Sequence, residues 1–167
     1  MSLILAFAFL LITPAAQQAP VQRQVPIDVF QVIELPVTIT DAALVKTKDG
    51  YVLKGLISNN LDFETVGVRY SLAVVDSMNE TTAIVTRNEG FKLARAQTKT
   101  ITFRSPIKLQ LKDDQRLVLM LDQVVSVDYL WDVSNSKEAL AAYINGDYSV
   151  IPRVQRVINQ VDARPLR

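Results

Sequence analysis

A strict alternation of apolar with small or polar residues runs through residues 66–74, within a segment that continues to Asp76. Every second position is apolar, and these positions are Val66, Val68, Tyr70, Leu72 and Val74. Because successive side chains of a strand point to opposite faces of a sheet, this period of two predicts a strand with one buried and one solvated face. An amphipathic helix would instead repeat its apolar residues at every third or fourth position.

Short segments of similar character, separated by turn signals, fill most of the chain. The triplet Lys48-Asp49-Gly50 predicts a tight hairpin turn, because Asp-Gly tolerates the positive φ angles that such turns require. Seven to nine strands at this spacing, with no long helical pattern between them, favour a sandwich over a fold of alternating strands and helices. The expected fold is mainly β: an immunoglobulin-like antiparallel β-sandwich with one or two C-terminal α-helices.

The pattern changes after Trp131, where two helices are expected. Ser136 can cap a helix over residues 137–144, and Asn145-Gly146 can end it. A second helix is predicted over residues 151–162. Its apolar residues share one face at helical spacing, and they are Val150, Val154, Val157, Ile158 and Val161.

The N-terminus begins with an uncharged apolar run over residues 3–12. The run is too short to span a bilayer core of about 30 Å as a helix, and it is typical of the apolar region of a secretory signal. Thr13-Pro14-Ala15-Ala16 then supplies a helix breaker and small residues suited to cleavage, although no Lys or Arg precedes the run. The expected organisation is a signal peptide (1–16), an extended segment (17–36), a β-sandwich domain (37–131) and a helical appendage (132–167).

The chain contains neither cysteine nor histidine. The first absence excludes disulfides and thiol nucleophiles, and the second removes the usual general base near neutral pH and the commonest transition-metal ligand. The net charge of +1 gives no electrostatic case for nucleic acid. We therefore expect no catalytic residues, no metal and no cofactor. Export without cysteine fits a bacterial periplasm or exterior better than a disulfide-rich eukaryotic module.

Three segments, residues 52–60, 72–76 and 98–103, together resemble the FxLYD-type domains of bacterial secreted proteins. Gly55 and Asn59 match a Gly-x-x-x-Asn element, and Asp76 matches the last residue of the named motif. Leu72 and Val75 replace the motif's Phe and Tyr. The usual glycine before the third segment is absent, and Ala96 lies nearby. The resemblance covers about residues 37–103; it implies an immunoglobulin-like or fibronectin-like sandwich and brings no catalytic residues.

Four aromatic residues cluster in the sequence at the junction of sandwich and appendage: Tyr129, Trp131, Tyr143 and Tyr148. Aromatic side chains with a polar tip are frequent anchors of protein interfaces, so these four are the candidate partner-binding residues. The alternative is that Trp131 closes the end of the sandwich beneath the C-terminal helices.

The charged residues give weaker candidates. Asp113, Asp114, Asp122, Asp128 and Asp132 form a carboxylate-rich stretch, but the spacing of a calcium loop is missing, and residues 112–115 are predicted to be a polar turn. Other carboxylates are scattered, and we expect them on the solvated surface rather than paired for catalysis. These are Glu34, Asp62, Glu64, Asp76 and Glu89.

These features favour a non-catalytic exported binding or accessory module that acts through protein–protein contacts in the cell envelope or exterior. One alternative is a structural subunit of a surface assembly, in which residues 17–36 donate a strand to a neighbour. A carboxylate-based hydrolase ranks last because His and Cys are absent. Membrane-surface contact through Arg153 and Arg156 is possible but not favoured, because the apolar face of that predicted helix lacks Trp and Phe. The sequence leaves the partner's identity and the oligomeric state open.

Overall fold

The computed structural model describes residues 24–159, so the predicted signal peptide lies outside the described residues. Within this range are ten strands and one helix. In chain order they are β1 (Gln24–Pro26), β2 (Asp28–Phe30), β3 (Val37–Thr47), β4 (Gly50–Asn59), β5 (Thr65–Val75), β6 (Thr81–Leu93), β7 (Thr98–Thr102), β8 (Arg116–Ser126), β9 (Tyr129–Val133), α1 (Ser136–Ile144) and β10 (Val154–Ile158).

The strands form two sheets that pack against each other. The smaller sheet has the order β1-β3-β4-β7, and the larger has the order β10-β9-β8-β5-β6. Neighbouring strands along both paths are antiparallel. The exception is β2, which lies beside β8 in parallel, with Asp28 opposite Val118 and Phe30 opposite Met120. The prediction of a mainly β sandwich is confirmed.

The two strongest local signals correspond to real elements. The alternating segment is β5, in which Val68, Tyr70 and Leu72 are buried. The Asp-Gly turn joins β3 to β4, and Gly50 adopts φ +136° there. A side chain at position 50 would also collide with the backbone, since an ideal Cβ would lie 2.7 Å from the carbonyl oxygen of Ile107.

The core between the sheets is built from inward-facing residues of β3, β4, β5 and β8. The largest of its fully buried aliphatic residues include Leu44, Leu53, Ile57, Leu72 and Leu119. Burying one such side chain stabilises a fold by about 1.5–3 kcal/mol relative to exposure, so these strands supply most of the driving force for sandwich formation.

The prediction that the second face of β5 is solvated is wrong, because the larger sheet is also buried on its outer face. Ala73 and Val118 are fully buried although they point away from the sandwich core, on the opposite face from Leu72 and Leu119. Helix α1 contacts β8, and its Leu140 belongs to the same buried cluster. The helix therefore adds a third layer over this face.

The predicted second C-terminal helix is wrong in its described part. Residues 154–158 form β10, which pairs antiparallel with β9 from Val154 opposite Val133 to Ile158 opposite Tyr129. Branching at Cβ stiffens valine and isoleucine and favours strands, and β9 offers an edge with which this segment can pair. The basic amphipathic helix that Arg153 and Arg156 were expected to form is therefore absent from the described residues.

The cap of the first helix also differs from the expectation. Asn135, not Ser136, occupies the N-cap position, and its side chain makes no capping hydrogen bond. The Asn135 side chain instead donates to the carbonyl oxygen of Ile151 at 3.0 Å and accepts from the backbone N–H of Arg153 at 2.7 Å. These bonds tie the start of α1 to the segment that precedes β10.

The segment before residue 37 joins both sheets. Strand β1 pairs with β3, and the chain then crosses so that β2 pairs with β8. Asp28 of β2 accepts hydrogen bonds from the hydroxyl of Tyr143 in α1 at 3.3 Å and lies 3.6 Å from the guanidinium of Arg116 in β8. This short segment therefore holds the two sheets and the helix together.

Candidate functional site

The four aromatic candidates fall into two separate groups of rings. Tyr129 and Trp131 contact each other and Phe63, with ring centroids 5.7–6.1 Å apart. Tyr143 stacks on Phe30 at 4.3 Å and meets Tyr148 edge-on at 6.2 Å. Among the described residues, no ring contact joins the first group to the second.

The two groups differ in what they present to solvent. Trp131 is buried, in keeping with a role in closing the core, and the guanidinium of Arg156 lies 5.1 Å from the centre of the Tyr129 ring. Tyr148 is 77% exposed. Of the four candidates, only Tyr148 exposes most of its surface to solvent.

An apolar groove lies beside the second group. It has a volume of about 270 Å³ between residues 30–34 and the segment that precedes β10, and it continues past Tyr148 into a second depression of about 140 Å³. We define the apolar groove by Phe30, Ile33, Tyr148, Ile151 and Pro152. Ile33 is 94% exposed and Ile151 is 72% exposed.

Both walls of the apolar groove are held by side-chain amides. The Gln31 amide donates to the carbonyl oxygen of Val37 at 3.4 Å and accepts from the N–H of Ile39 at 3.3 Å, which fixes the wall that carries Ile33. The Asn135 bonds described above fix the wall that carries Ile151. Rigid walls give a binding site its shape before the partner arrives, which lowers the entropic cost of binding.

The charged residues that line the apolar groove are acidic. Glu34 lines the larger depression and Asp147 lines the smaller one. Hydrogen bonds from the hydroxyl and the backbone N–H of Ser149 lower the pKa of Asp147, so this carboxylate is ionised at neutral pH. The groove therefore combines an apolar floor with negative charge at its rim.

Sequence reasoning identified Tyr143 and Tyr148 but missed the other residues of this groove. Ile33 and Ile151 belong to loops. The sequence offers one local signal for each, which is an apolar residue that closely precedes a proline. The two segments are Val32-Ile33-Glu34-Leu35-Pro36 and Val150-Ile151-Pro152. That signal does not reveal that the two loops lie side by side.

A polar cluster occupies the outer face of the larger sheet. Arg69 of β5 donates to a carboxylate oxygen of Asp132 at 2.7 Å, and its Nε lies 3.8 Å from a carboxylate oxygen of Asp122. The Ser71 hydroxyl donates to the same Asp122 oxygen at 2.7 Å. Two of the five aspartates predicted as a carboxylate-rich stretch therefore meet at one arginine.

Asp122 is the most unusual ionisable group of this cluster. It is 2% exposed, and its Oδ1 has no hydrogen-bond partner. Burial raises the pKa of the Asp122 carboxyl, against the hydrogen bond from Ser71 and the charge of Arg69, which lower it. Within this cluster, the charges of Asp122 and Asp132 are offset by the one guanidinium of Arg69.

Other candidate carboxylates have structural partners. Asp76 accepts the backbone N–H groups of Met78 and Glu80, both at 2.9 Å. Asp62 pairs with Arg95 at 3.2 Å on the surface. Residues 112–115 form the predicted turn, in which the N–H of Gln115 donates to the carbonyl of Lys112 at 3.3 Å.

A second groove lies between β6 of the larger sheet and β7 of the smaller one, and β6 is at the opposite edge of its sheet from β10. Both are edge strands, and the space between them is about 280 Å³. We call it the edge groove; its charged lining residues are Glu89, Lys92, Lys99 and Arg104. The expectation that Glu89 lies on the solvated surface is wrong: Glu89 is buried and accepts the backbone N–H groups of Arg104 at 3.3 Å and Ser105 at 3.0 Å.

Two further observations concern residues 24–159. No group of three acidic, histidine or cysteine side chains within this range is arranged to hold a metal ion. The range also contains no helix with the length and apolar character needed to cross a bilayer.

No family model, curated protein or solved structure matches this chain. The resemblance to FxLYD-type domains therefore stays a prediction.

Proposed function

We propose that this chain is a non-catalytic exported module that binds a protein partner through the apolar groove. The observation that carries the proposal is the exposure of three large apolar side chains along the two adjoining depressions of the groove: Ile33 at 94%, Tyr148 at 77% and Ile151 at 72%. Contiguous exposed apolar surface on a soluble protein marks an interaction site more often than chance exposure does.

The lining of the groove indicates the chemistry of the partner. Its apolar floor favours apolar side chains, and its charged residues, Glu34 and Asp147, are both negative. Complementary charge directs the choice of partner and fixes its orientation. The partner segment we propose is apolar and flanked by Lys or Arg.

The groove can act without large rearrangement. The amides of Gln31 and Asn135 hold its two walls, and Phe30 is stacked on Tyr143. A preformed pocket for one or two apolar anchors is the usual centre of a protein interface. This supports binding rather than an adventitious exposure of loop residues.

Capture experiments with matched variants test the proposal. The mature protein, immobilised, should retain a defined protein from native envelope extract, and both Ile33→Asp and Ile151→Asp should lose it. Ile84→Asp is the control, because Ile84 is 50% exposed on β6, away from the groove. Capture that is equal for all three variants, or no capture by the wild type, would contradict the proposal.

Light scattering distinguishes a foreign partner from a second copy of this chain. We expect a monomer at all concentrations. A dimer that Ile33→Asp dissociates would mean that another copy covers the groove, and it would overturn the proposal. Strand donation by residues 17–36 has less support, because the described strands β1 and β2 already pair within their own chain.

Export rests on the apolar run at residues 3–12 and the small residues that follow. Expression of the full chain with a C-terminal tag in a bacterial host, followed by fractionation and N-terminal sequencing, tests it. We expect a periplasmic or secreted product that begins between residues 16 and 20. Retention of an uncleaved product in the cytoplasm would count against export while leaving the groove proposal intact.

A further inference from the structure

The edge groove combines an unpaired strand edge with positive charge. Strand β7 pairs with β4 on one side, and no strand of the described range lies on its other side. The backbone N–H of Phe103 donates to Leu53 of β4, and the carbonyl of Gln97 accepts from Asn59 of β4. Because backbone groups alternate in direction along a strand, those of Thr98, Thr100 and Thr102 point to the free edge.

Three cationic side chains lie around this edge. Lys92, Lys99 and Arg104 line the edge groove, and none of them forms an ion pair within residues 24–159. The one carboxylate in the lining, Glu89, uses both oxygens to accept backbone N–H groups. Among the described residues, the lining of the groove therefore carries three cations against one carboxylate, which leaves an excess of positive charge.

We propose that the edge groove binds an acidic peptide segment in extended conformation, as a strand added to β7. The added strand would hydrogen-bond with the backbone of Thr100 and Thr102. Its alternate side chains would enter the groove, and carboxylates at these positions would meet Lys92, Lys99 and Arg104. Strand addition derives affinity from the main chain and specificity from alternate side chains.

An inward-facing lysine such as Lys99 can also have the opposite role, because charged residues on an edge strand prevent it from pairing with another chain. Two features favour binding over mere protection. Three cations surround one depression of about 280 Å³, whereas a single charged residue is enough to prevent strand pairing at an edge. Glu89 also fixes residues 104–105 directly after β7, which keeps that edge in place for a partner.

Titration of ¹⁵N-labelled mature protein with a synthetic heptapeptide, in which glutamate alternates with threonine, tests the inference. We expect saturable shifts of the Thr100 and Thr102 amides, with at least a tenfold rise in Kd for Lys99→Glu and for Lys92→Glu. Lys137→Glu on α1 is the charge-matched control and should change Kd less than twofold. Melting curves establish that each variant is folded.

Two further peptides separate strand addition from general attraction between charges. A peptide of the same sequence with N-methylated backbone amides should not bind, and a lysine-for-glutamate peptide should not bind either. Equal binding of the N-methylated peptide would indicate a site for polyanions and would overturn the proposal. An absence of saturable shifts at millimolar peptide and low ionic strength would overturn it as well.

The two grooves share no lining residue, so their tests are independent. Ile33→Asp should leave peptide binding at the edge groove unchanged, and Lys99→Glu should leave partner capture by the apolar groove unchanged. Failure of one proposal therefore does not imply failure of the other.

Discussion

The side-chain amide of Asn59 donates a hydrogen bond of 3.1 Å to the carbonyl oxygen of Leu93, 34 residues further along the chain. The same nitrogen lies 2.8 Å from the carbonyl oxygen of Phe63 and 3.1 Å from that of Ala94, and the amide oxygen accepts the N–H of Leu61. Asn59 ends β4 in the smaller sheet and Leu93 ends β6 in the larger one. One buried side chain thus joins the two sheets at their common end.

Replacement of Asn59 by alanine should be among the most destabilising substitutions in the chain. Each buried carbonyl that loses its donor costs about 1–3 kcal/mol, so we expect the free energy of unfolding in urea to fall by about 3 kcal/mol. Asn60→Ala is the control; Asn60 is exposed and uses its backbone N–H, so its replacement should cost less than about 0.5 kcal/mol. A loss below about 1 kcal/mol for Asn59→Ala would contradict this role.

Tyr70→Phe should leave stability unchanged or raise it by up to about 1 kcal/mol. The Tyr70 hydroxyl is buried without a hydrogen-bond partner, and burial raises the pKa of this phenol. The hydroxyl therefore contributes nothing to the stability of the fold. The ring itself stacks on Phe103 at 5.3 Å and should stay. Thermal unfolding of Tyr70→Phe and Tyr70→Leu separates the two contributions, because only the leucine variant loses the ring pair, worth about 0.5–1.5 kcal/mol. A marked loss for Tyr70→Phe would reveal a partner for the hydroxyl.

Asp122→Asn should change how stability depends on pH. Burial raises the pKa of Asp122 in the folded protein above its ordinary value near 3.8, so between these two pKa values the folded state binds more protons than the unfolded state. Stability therefore decreases as pH rises through this window, and the asparagine variant, which cannot ionise, lacks that decrease. Urea unfolding between pH 3 and pH 8 should show that the free energy of unfolding of Asp122→Asn increases relative to that of the wild type as pH rises.

Asp128→Asn serves as the control for this series, because Asp128 is exposed. Its pH profile should follow that of the wild type. If Asp122→Asn instead lost stability at neutral pH, the attraction between Asp122 and Arg69 would outweigh the cost of burying the carboxylate.

Ala96→Gly should stabilise the protein by about 0.5–1 kcal/mol. Ala96 adopts φ +50° in the corner between β6 and β7, a conformation that costs a non-glycine residue about 1–2 kcal/mol and that glycine adopts readily. Ala94→Gly in the same corner lacks this relief and should be neutral or destabilising. The melting temperatures of the two variants give the comparison; equal shifts would mean that strain at position 96 contributes nothing.

Local periodicity was enough to predict β5 and the β3–β4 hairpin, because both depend on neighbours in sequence. The same reasoning failed for residues 154–158. Val154, Val157 and Ile158 have a helical spacing, but their β-branched side chains also suit a strand. The segment forms a strand because it pairs with the edge of β9. A contact with a distant strand is not encoded in the spacing of the segment itself.

The apolar groove could not be predicted for a related reason. Ile33 and Ile151 are far apart in sequence, and they meet because β2 lies beside β8 and because Asn135 draws the segment before β10 towards α1. Sequence reasoning grouped Tyr129 with Tyr148 by proximity along the chain, whereas the fold places them in different ring clusters.

The parallel pairing of β2 with β8 has a consequence for the order in which the chain folds. Phe30 finds its place only when Met120 is present, and pairings between such distant residues form slowly, because the entropy of closing a long loop is lost before any contact compensates for it. During synthesis from the N-terminus, β2 can therefore pair with β8 only after β8 (Arg116–Ser126) has been made, which is most of the chain.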